Sequence, residues 1–224
     1  MRMRRKSNLD ERIRRCSNSL LFIETEEFYK KTEEKKYHIF NFDEVYGNSN
    51  PLWIEIGCGK GQFAFELAKR NPSVNVLAIE KISNVILDGT ERAEKEKPIN
   101  LKFLNASAEN LCYYIENEKV DRIFLKFSCP YPKYHYRNRR LTYYRFLEVY
   151  KKLLKKSGEI HLKTDNEGFF EFSIQSFSEN GFLLKNISLD LHSSKFAEEN
   201  IRTEYEEIFT SQGKRIYKLE AYLP

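Results

Sequence analysis

The sequence predicts an α/β fold, in which a mostly parallel sheet carries helices on both faces and ends in a C-terminal antiparallel strand pair. Short apolar runs alternate with segments of helical periodicity from residue 51 onward, and this alternation is typical of parallel sheets. The 224 residues, of which 41% are hydrophobic, suffice for one such domain. The apolar runs are only strand-length, so the sequence predicts no membrane span.

The predicted strands are short apolar runs that end in glycine or polar residues. They are expected, in order, at Leu52–Ile56, Asn75–Ile79, Leu101–Leu104, Arg122–Phe127 and Gly158–Lys163, with the closing pair at Leu183–Leu189 and Lys214–Leu219. Sheets of this kind bind ligands at the carboxyl ends of their strands, near the point where strand order reverses.

The predicted helices show apolar residues three or four positions apart. They are expected at Gln62–Lys69, Ser83–Lys95, Leu141–Lys155 and Glu167–Asn180, with Ser83 as an N-cap. Residues 1–50 lack this periodicity. We interpret them as a basic N-terminal arm with some helix and a lead-in to the domain at residues 51–224.

The net charge of +5 is modest, but the basic residues are clustered. One cluster is N-terminal and the other is interleaved with aromatic residues: Arg2, Arg4, Arg5, Lys6, Arg12, Arg14 and Arg15, then Arg137, Arg139, Arg140 and Arg145 among Tyr134, His135, Tyr136, Tyr143 and Tyr144. Cations bind phosphates and aromatic rings stack on unpaired bases, so this mixture favours an RNA partner. A single basic run is more often a solvent-exposed face.

The cysteines and the N-terminus indicate where the protein works. Cys16, Cys58, Cys112 and Cys129 show no paired metal-ligand spacing, so we interpret them as reduced thiols of a cytoplasmic protein without a bound metal. The basic first residues are not followed by an apolar stretch, which argues against a secretory signal.

The strongest local motif is a strand that runs into the glycine-rich turn Gly57-Cys58-Gly59-Lys60-Gly61. Glycines allow a tight turn and a close approach of backbone to a ligand. The third glycine comes one residue earlier than in the dinucleotide-binding pattern, and Glu55 precedes the turn. Because a carboxylate repels a pyrophosphate and attracts a cation, the motif favours S-adenosylmethionine over a nicotinamide dinucleotide.

Two further strand ends complete the predicted cofactor site. Glu80 ends the second strand 23 residues after Gly57, close to the spacing of about 20 for an acidic residue that binds ribose hydroxyls. Asn105 and Ser107 follow the third strand, beside the expected position of the adenine. The alternative interpretations are that Glu80 pairs with a surface cation and that Asn105 or Ser107 caps a helix.

The segment after the fourth strand reads Ser128-Cys129-Pro130-Tyr131-Pro132-Lys133, followed by Arg137-Asn138-Arg139-Arg140-Leu141. It resembles the signature of bacterial tRNA (guanine-N7)-methyltransferases. Further matches follow in order at Lys163-Thr164-Asp165-Asn166, Ser188-Leu189-Asp190-Leu191-His192 and Thr203-Glu204-Tyr205-Glu206. The resemblance covers nearly the whole chain and implies a Rossmann-like class I methyltransferase fold.

That family transfers a methyl group from S-adenosylmethionine to N7 of the variable-loop guanine, conventional tRNA position 46, and forms 7-methylguanosine. By this resemblance, cofactor contacts are expected from Glu55, Gly57, Gly59, Gly61, Glu80, Asn105, Ser107 and Cys129. Contacts with tRNA are expected from Lys133, His135, Arg137, Arg139, Arg140, Asp165, Thr203, Glu204, Tyr205 and Glu206. The candidate catalytic residues are Asp165 and, at the signature position, Cys129.

Three residues depart from the family pattern. Cys129 stands where the family has Asp, Tyr131 where it has Trp, and Ser107 where it usually has Asp. Guanine N7 carries a lone pair and no proton, so methyl transfer needs positioning and electrostatic stabilisation rather than a general base. We expect Asp165, with Glu204 and Glu206, to supply the negative charge.

Two other functions stay open at this point. One is an RNA-binding protein of the same fold without catalysis, which the replacement of the signature Asp by Cys129 suggests. The other is a nicotinamide-dependent dehydrogenase, against which Glu55 and the early third glycine argue. The sequence leaves the choice between monomer and homodimer undecided.

Overall fold

The computed structural model describes residues 4–21 and 38–224. The helices in these residues are α1 (Leu9–Arg15), α2 (Phe42–Tyr46), α3 (Gln62–Arg70), α4 (Ser83–Glu96), α5 (Tyr144–Leu153), α6 (Glu167–Glu179) and α7 (Glu204–Ser211). The strands are β1 (Leu20–Leu21), β2 (Leu52–Ile56), β3 (Asn75–Ile79), β4 (Leu101–Leu104), β5 (Val120–Lys126), β6 (Leu154–Thr164), β7 (Leu183–Ser188) and β8 (Tyr217–Tyr222). Short 3-10 helices cover Ala108–Tyr113, Tyr134–Arg139 and Leu191–Ser193.

Within the described residues the strands form one sheet of eight, in the order β1-β4-β3-β2-β5-β6-β8-β7. The first six strands pair in parallel, whereas β8 runs antiparallel to both β6 and β7. The order reverses between β2 and β5, where such sheets bind ligands. The predicted fold class is therefore confirmed, including the closing antiparallel pair.

The sheet is the centre of the core because its inner strands carry apolar side chains on both faces. All five residues of β3 are buried. Val76 and Ala78 pack in a cluster with side chains of α1, α3 and α4, while Leu77 and Ile79 pack on the other face with α5 and α6. This alternation follows the two-residue period of a strand.

Several details of the predicted elements differ from the structure. The last strand spans Tyr217–Tyr222 and not Lys214–Leu219. The predicted helix Leu141–Lys155 spans only Tyr144–Leu153, because Leu154 pairs with Val120 and starts β6. Ser83 is not the N-cap of α4, since Ile82 holds that position. The strand β1 was not predicted, because two residues show no periodicity.

The first described residues pack against α4. Arg12 donates two hydrogen bonds of 2.7 Å to the carboxylate of Glu91, and Lys6 forms an ion pair with Asp88. These two cations of the predicted basic arm are thus neutralised by the domain, whereas Arg2 lies outside the described residues. None of the described helices is long and apolar enough to cross a membrane.

Candidate active site

A cavity of about 1030 Å³ opens at the carboxyl ends of the central strands. Its wall contains ten of the predicted site residues: Glu55, Gly57, Gly59, Glu80, Ser107, Cys129, Arg139, Thr203, Glu204 and Tyr205. They come from five separate segments of the chain, which the sheet topology brings together. The cavity lies at the reversal of strand order, where the fold predicts a ligand.

The glycine-rich turn forms the floor between β2 and α3. Gly57, Gly59 and Gly61 have φ angles of 79°, 59° and 79°, which residues with a Cβ rarely adopt. The backbone N–H groups of Gly57 and Cys58 donate to the carbonyl of Ile79 at 2.8 and 3.0 Å, which fixes the turn to β3. Gly57 and Gly59 line the cavity, whereas Gly61, which was also expected to contact the cofactor, does not: a Cβ added there would lie 2.7 Å from Phe103.

Glu55 is the buried acid of the site, with a relative exposure of 3%. Its Oε2 atom has no hydrogen-bond partner among the described residues. Burial raises the pKa of Glu55 to about 8, against the opposing effects of Lys126 and a backbone hydrogen bond from Ala64. An unsatisfied buried oxygen beside a cavity fits a ligand that brings a positive charge.

Glu80 both stabilises the glycine-rich turn and lines the cavity. Its Oε2 accepts a hydrogen bond from the backbone of Gly59 at 3.3 Å and its Oε1 accepts one from Ile82 at 3.0 Å, while the residue also lines the cavity. The side chain of Asn105 donates to the carbonyl of Glu80 at 2.7 Å and accepts from Ser83 at 2.7 Å. Asn105 thus holds Glu80 and Ser83 in place through these hydrogen bonds and does not itself line the cavity.

The segment after β5 carries the signature that departs from the family pattern. Phe127 and Tyr131 have φ angles of 48° and 41°, in the left-handed region that side chains disfavour. The buried Ser128 Oγ has no partner among the described residues, and the neighbouring Cys129 is exposed on the cavity wall. Strained backbone of this kind recurs where a chain presents groups to a ligand.

The basic segment that follows presents cation–aromatic pairs. The guanidinium of Arg137 lies 3.9 Å from the ring centroid of Tyr134, and that of Arg139 lies 4.7 Å from the ring of Tyr136. Arg140 instead donates to the carbonyls of Pro130 and Tyr131, at 3.0 and 3.1 Å. It therefore shapes the signature loop, whereas Arg139 reaches the cavity wall.

The remaining members of this segment stay outside the cavity wall. His135 packs against Tyr136 in a tilted arrangement, with a centroid distance of 4.0 Å, and Lys133 is exposed. Both lie on the surface beside the opening rather than inside it.

The helix α7 brings a second group of predicted substrate residues to the cavity. The hydroxyl of Thr203 caps the helix by accepting from the backbone of Glu206 at 3.2 Å. Glu204 and Tyr205 line the cavity, and the exposed fraction of Tyr205 is 64%. An exposed tyrosine at the opening provides a surface on which a base can stack.

Glu206 and Asp165 are not brought into the cavity. Glu206 has no exposed surface and binds Lys163, His192 at 2.8 Å and Asn200 at 2.6 Å. Asp165 accepts from Lys214 at 2.7 Å. Of the three acids expected to supply negative charge, only Glu204 lines the wall.

Lys126 lines the cavity but belongs to none of the predicted motifs. It is the last residue of β5 and lines the cavity, and burial together with Lys163 and Lys218 holds its pKa well below the usual value. The signal was present in the sequence as a single lysine at the end of the apolar run Ile123-Phe124-Leu125. A charged residue in that place is unusual enough to indicate a functional site.

Comparison with known proteins identifies the family. Residues 49–219 match the model of a family described as "Putative methyltransferase". The chain belongs to this methyltransferase family. Because S-adenosylmethionine is the methyl donor of methyltransferases with this fold, the prediction of an S-adenosylmethionine-dependent methyltransferase is confirmed.

Solved structures share the methyltransferase's fold at low sequence identity. The 16S rRNA methyltransferase KamB is 16% identical with a TM-score of 0.62, over 82% of this chain and 93% of that chain. A 30S ribosomal A1408 methyltransferase from an uncultured bacterium is 14% identical with a TM-score of 0.56, over 82% and 92%. The Haemonchus contortus phosphoethanolamine N-methyltransferase 2, solved with S-adenosyl-L-methionine, is 15% identical with a TM-score of 0.50, over 78% and 49%.

The residues of the cavity fit this cofactor. The unsatisfied oxygen of Glu55 suits the ammonium group of the methyl donor, and the turn at Gly57 and Gly59 leaves space for it. An added Cβ would meet nothing within 4 Å at Gly59 and only Leu141 at 4.0 Å at Gly57. When bound, the cofactor supplies an electrophilic methyl group on a sulfonium.

A close approach between α4 and the glycine-rich turn leads to a testable prediction. A Cβ added at Gly89 would lie 2.6 Å from the carbonyl oxygen of Lys60 and 2.9 Å from Phe103. We expect Gly89→Ala to lower the free energy of unfolding by about 1–3 kcal/mol and to weaken cofactor binding, because Lys60 belongs to the turn. Urea unfolding and calorimetric titration with S-adenosylhomocysteine measure the two effects.

The matched control for this prediction is Gly168→Ala in α6. There the new Cβ would meet only the side chain of Asn166, at 3.8 Å. Replacing a helical glycine by alanine without a clash stabilises by up to about 1 kcal/mol. Equal stability of the two variants would contradict the proposed contact.

Proposed function

We propose that this protein is a cytoplasmic tRNA (guanine-N7)-methyltransferase, which forms 7-methylguanosine at the variable-loop guanine of tRNA. The observation that carries the proposal is the position of the basic and aromatic segment 134–140 beside the cofactor cavity, with Arg139 on the cavity wall. Of the signature segment, Cys129, Tyr131 and Arg139 line the cavity, which supports a substrate site next to the methyl donor.

The basic segment supports an RNA substrate by its chemistry. Tyr134 is exposed to 74%, and its ring is covered on one side by Arg137. A guanidinium binds phosphate oxygens in bidentate geometry and stacks on rings, whereas an exposed ring stacks on an unpaired base. The described surface beside the cavity thus offers both kinds of contact with a single-stranded loop.

The site also agrees with the chemistry of guanine N7. This atom attacks the methyl group with its lone pair, so no residue has to remove a proton before transfer. The product purine carries the positive charge that leaves the sulfur, and Glu204 lies on the cavity wall where it can stabilise that charge. Cys129, which stands in place of a carboxylate, is not required as a base in this reaction.

The decisive experiment uses unfractionated tRNA from cells that lack this protein. Purified protein and labelled S-adenosylmethionine should transfer label to the tRNA, and nucleoside analysis should identify 7-methylguanosine. Transfer to another nucleoside would replace the proposed product. Binding of tRNA without any transfer would favour the alternative, a non-catalytic RNA-binding protein of the same fold, to which the replacement of the signature Asp by Cys129 points.

Removal of the two arginines that cover tyrosines should weaken tRNA binding. We expect the double variant Arg137→Ala and Arg139→Ala to lose about tenfold in tRNA affinity and to reduce the slope of log affinity against log salt by about two. Filter binding at several salt concentrations measures both. The exposed Arg70, at the far end of α3, provides the control; an equal loss in Arg70→Ala would show that only net charge matters.

A further inference from the structure

Glu55 and Lys126 lie on the same face of the sheet, at the ends of adjacent strands. Glu55 on β2 pairs in register with Phe124 on β5, and Lys126 is two residues further along β5. Side chains two positions apart on a strand point to the same face. Both residues line the cavity, so an acid and a base face it from neighbouring strands.

The next lysines along this row are already neutralised. Lys163, which pairs in register with Lys126, forms its ion pair with Glu206, and Lys218 binds Glu220 at 2.6 Å. Among the described residues, Lys126 has no such carboxylate partner. Its Nζ lies 5.2 Å from the ring centroids of both Phe63 and Phe124.

The acid is similarly unsatisfied. One oxygen of Glu55 lacks a hydrogen-bond partner within the described residues, and burial holds its pKa near 8. Burial shifts the pKa of Lys126 in the opposite direction, toward its neutral form. Each group favours the ionised form of the other, but burial outweighs this attraction, and neither group has a hydrogen-bonded partner of opposite charge among the described residues.

We propose that Lys126 binds the carboxylate at the amino-acid end of the methyl donor, while Glu55 binds the ammonium group on the same carbon. A zwitterionic ligand brings one counter-charge to the buried Glu55 and one to the partly exposed Lys126, and both then become paired and hydrogen-bonded. The inference rests on the cofactor and not on the tRNA substrate.

The proposal distinguishes ligands that differ in one group. S-Adenosylmethionine has both charges of the amino-acid end, whereas decarboxylated S-adenosylmethionine keeps the sulfonium and an ammonium but lacks the carboxylate. Isothermal titration calorimetry with wild-type protein at pH 7.5 should show binding about 10–100-fold tighter for S-adenosylmethionine, as expected for loss of one partner of a charged hydrogen bond.

The substitution Lys126→Met removes the charge and keeps the length of the side chain. It should lower the affinity for S-adenosylmethionine by the same factor of about 10–100. It should change the affinity for the decarboxylated analogue by less than about twofold. Lys126→Arg keeps a positive charge and should therefore retain part of the preference for S-adenosylmethionine over its decarboxylated analogue. Lys81→Met is the matched control, because Lys81 is an exposed lysine that also lines the cavity, and it should preserve the preference between the two ligands.

Two results would overturn the proposal. Wild-type protein that binds both ligands equally would show that the carboxylate is not recognised. Equal weakening of both ligands by Lys126→Met would assign Lys126 a structural role instead, and thermal unfolding shows whether the variant is folded. Protein that discriminates as expected but does not methylate tRNA would contradict the proposed substrate and leave this inference standing.

Discussion

Replacing Glu206 by alanine should lower the free energy of unfolding by about 3–5 kcal/mol, the usual effect of removing one partner from a buried ion pair. Glu206 and Lys163 both have almost no exposed surface. The substitution leaves a buried ammonium group with only the oxygens of Asn200 and Ile201, at 2.9 Å each, as acceptors. Urea unfolding followed by circular dichroism measures the change.

Two variants make this prediction specific. Glu207→Ala removes the neighbouring carboxylate, which is exposed on the same helix, and should change stability by less than about 0.5 kcal/mol. The double variant Lys163→Met and Glu206→Leu replaces both charges by apolar groups, and should recover most of the loss. A Glu206→Ala protein as stable as wild type would show that the pair does not anchor α7.

The buried pair connects stability with the site, because Glu206 belongs to the helix that carries Glu204 and Tyr205 to the cavity. Glu206 holds β6 through Lys163 and the segment before α7 through Asn200 and His192. The resemblance implies a tRNA contact for Glu206, but this residue is fully buried and contacts only other residues of the protein. We propose that Glu206 acts by positioning α7.

The central strands could be predicted because their burial leaves a direct trace in the sequence. Leu52–Ile56 and Asn75–Ile79 have the predicted bounds, since buried parallel strands are continuous apolar runs. The boundary at Leu154 could not be predicted. Leu153 and Leu154 are both buried, so the apolar pattern is the same whether the helix continues or a strand begins.

The parts of the site that depend on contacts between residues distant in the sequence could not be predicted. The glycine-rich turn and Glu80 follow from local motifs, and the structure places them together on one cavity. The pairing of Lys163 with Glu206 joins residues 43 positions apart, so no local pattern separates Glu206 from its exposed neighbour Glu204. Lys126 has a local signal, as a lysine at the end of an apolar run, but its position beside Glu55 depends on strand order.

Affinity for S-adenosylmethionine should rise with pH, by up to about tenfold per unit, as the pH approaches 8 from below. The folded pKa of Glu55 is about 8, so below that value the group is protonated and must lose its proton to bind an ammonium ion. Lys126 and Lys163 favour the ionised form of Glu55, while burial and Glu80 oppose it. Calorimetric titration across this range in buffers of different ionisation enthalpy measures the affinity and the proton released.

Glu55→Gln should flatten this dependence of cofactor affinity on pH, because its amide does not titrate and keeps the shape of the side chain.

The stability of the unliganded protein should show the opposite dependence on pH. A carboxyl group whose pKa is raised on folding stabilises fully below its unfolded pKa of about 4.5, and this contribution is lost as pH rises through about 8. Wild type should thus lose stability relative to Glu55→Gln over that window while its cofactor affinity increases. The same slope of affinity in both proteins would show that Glu55 is not the group whose titration controls binding.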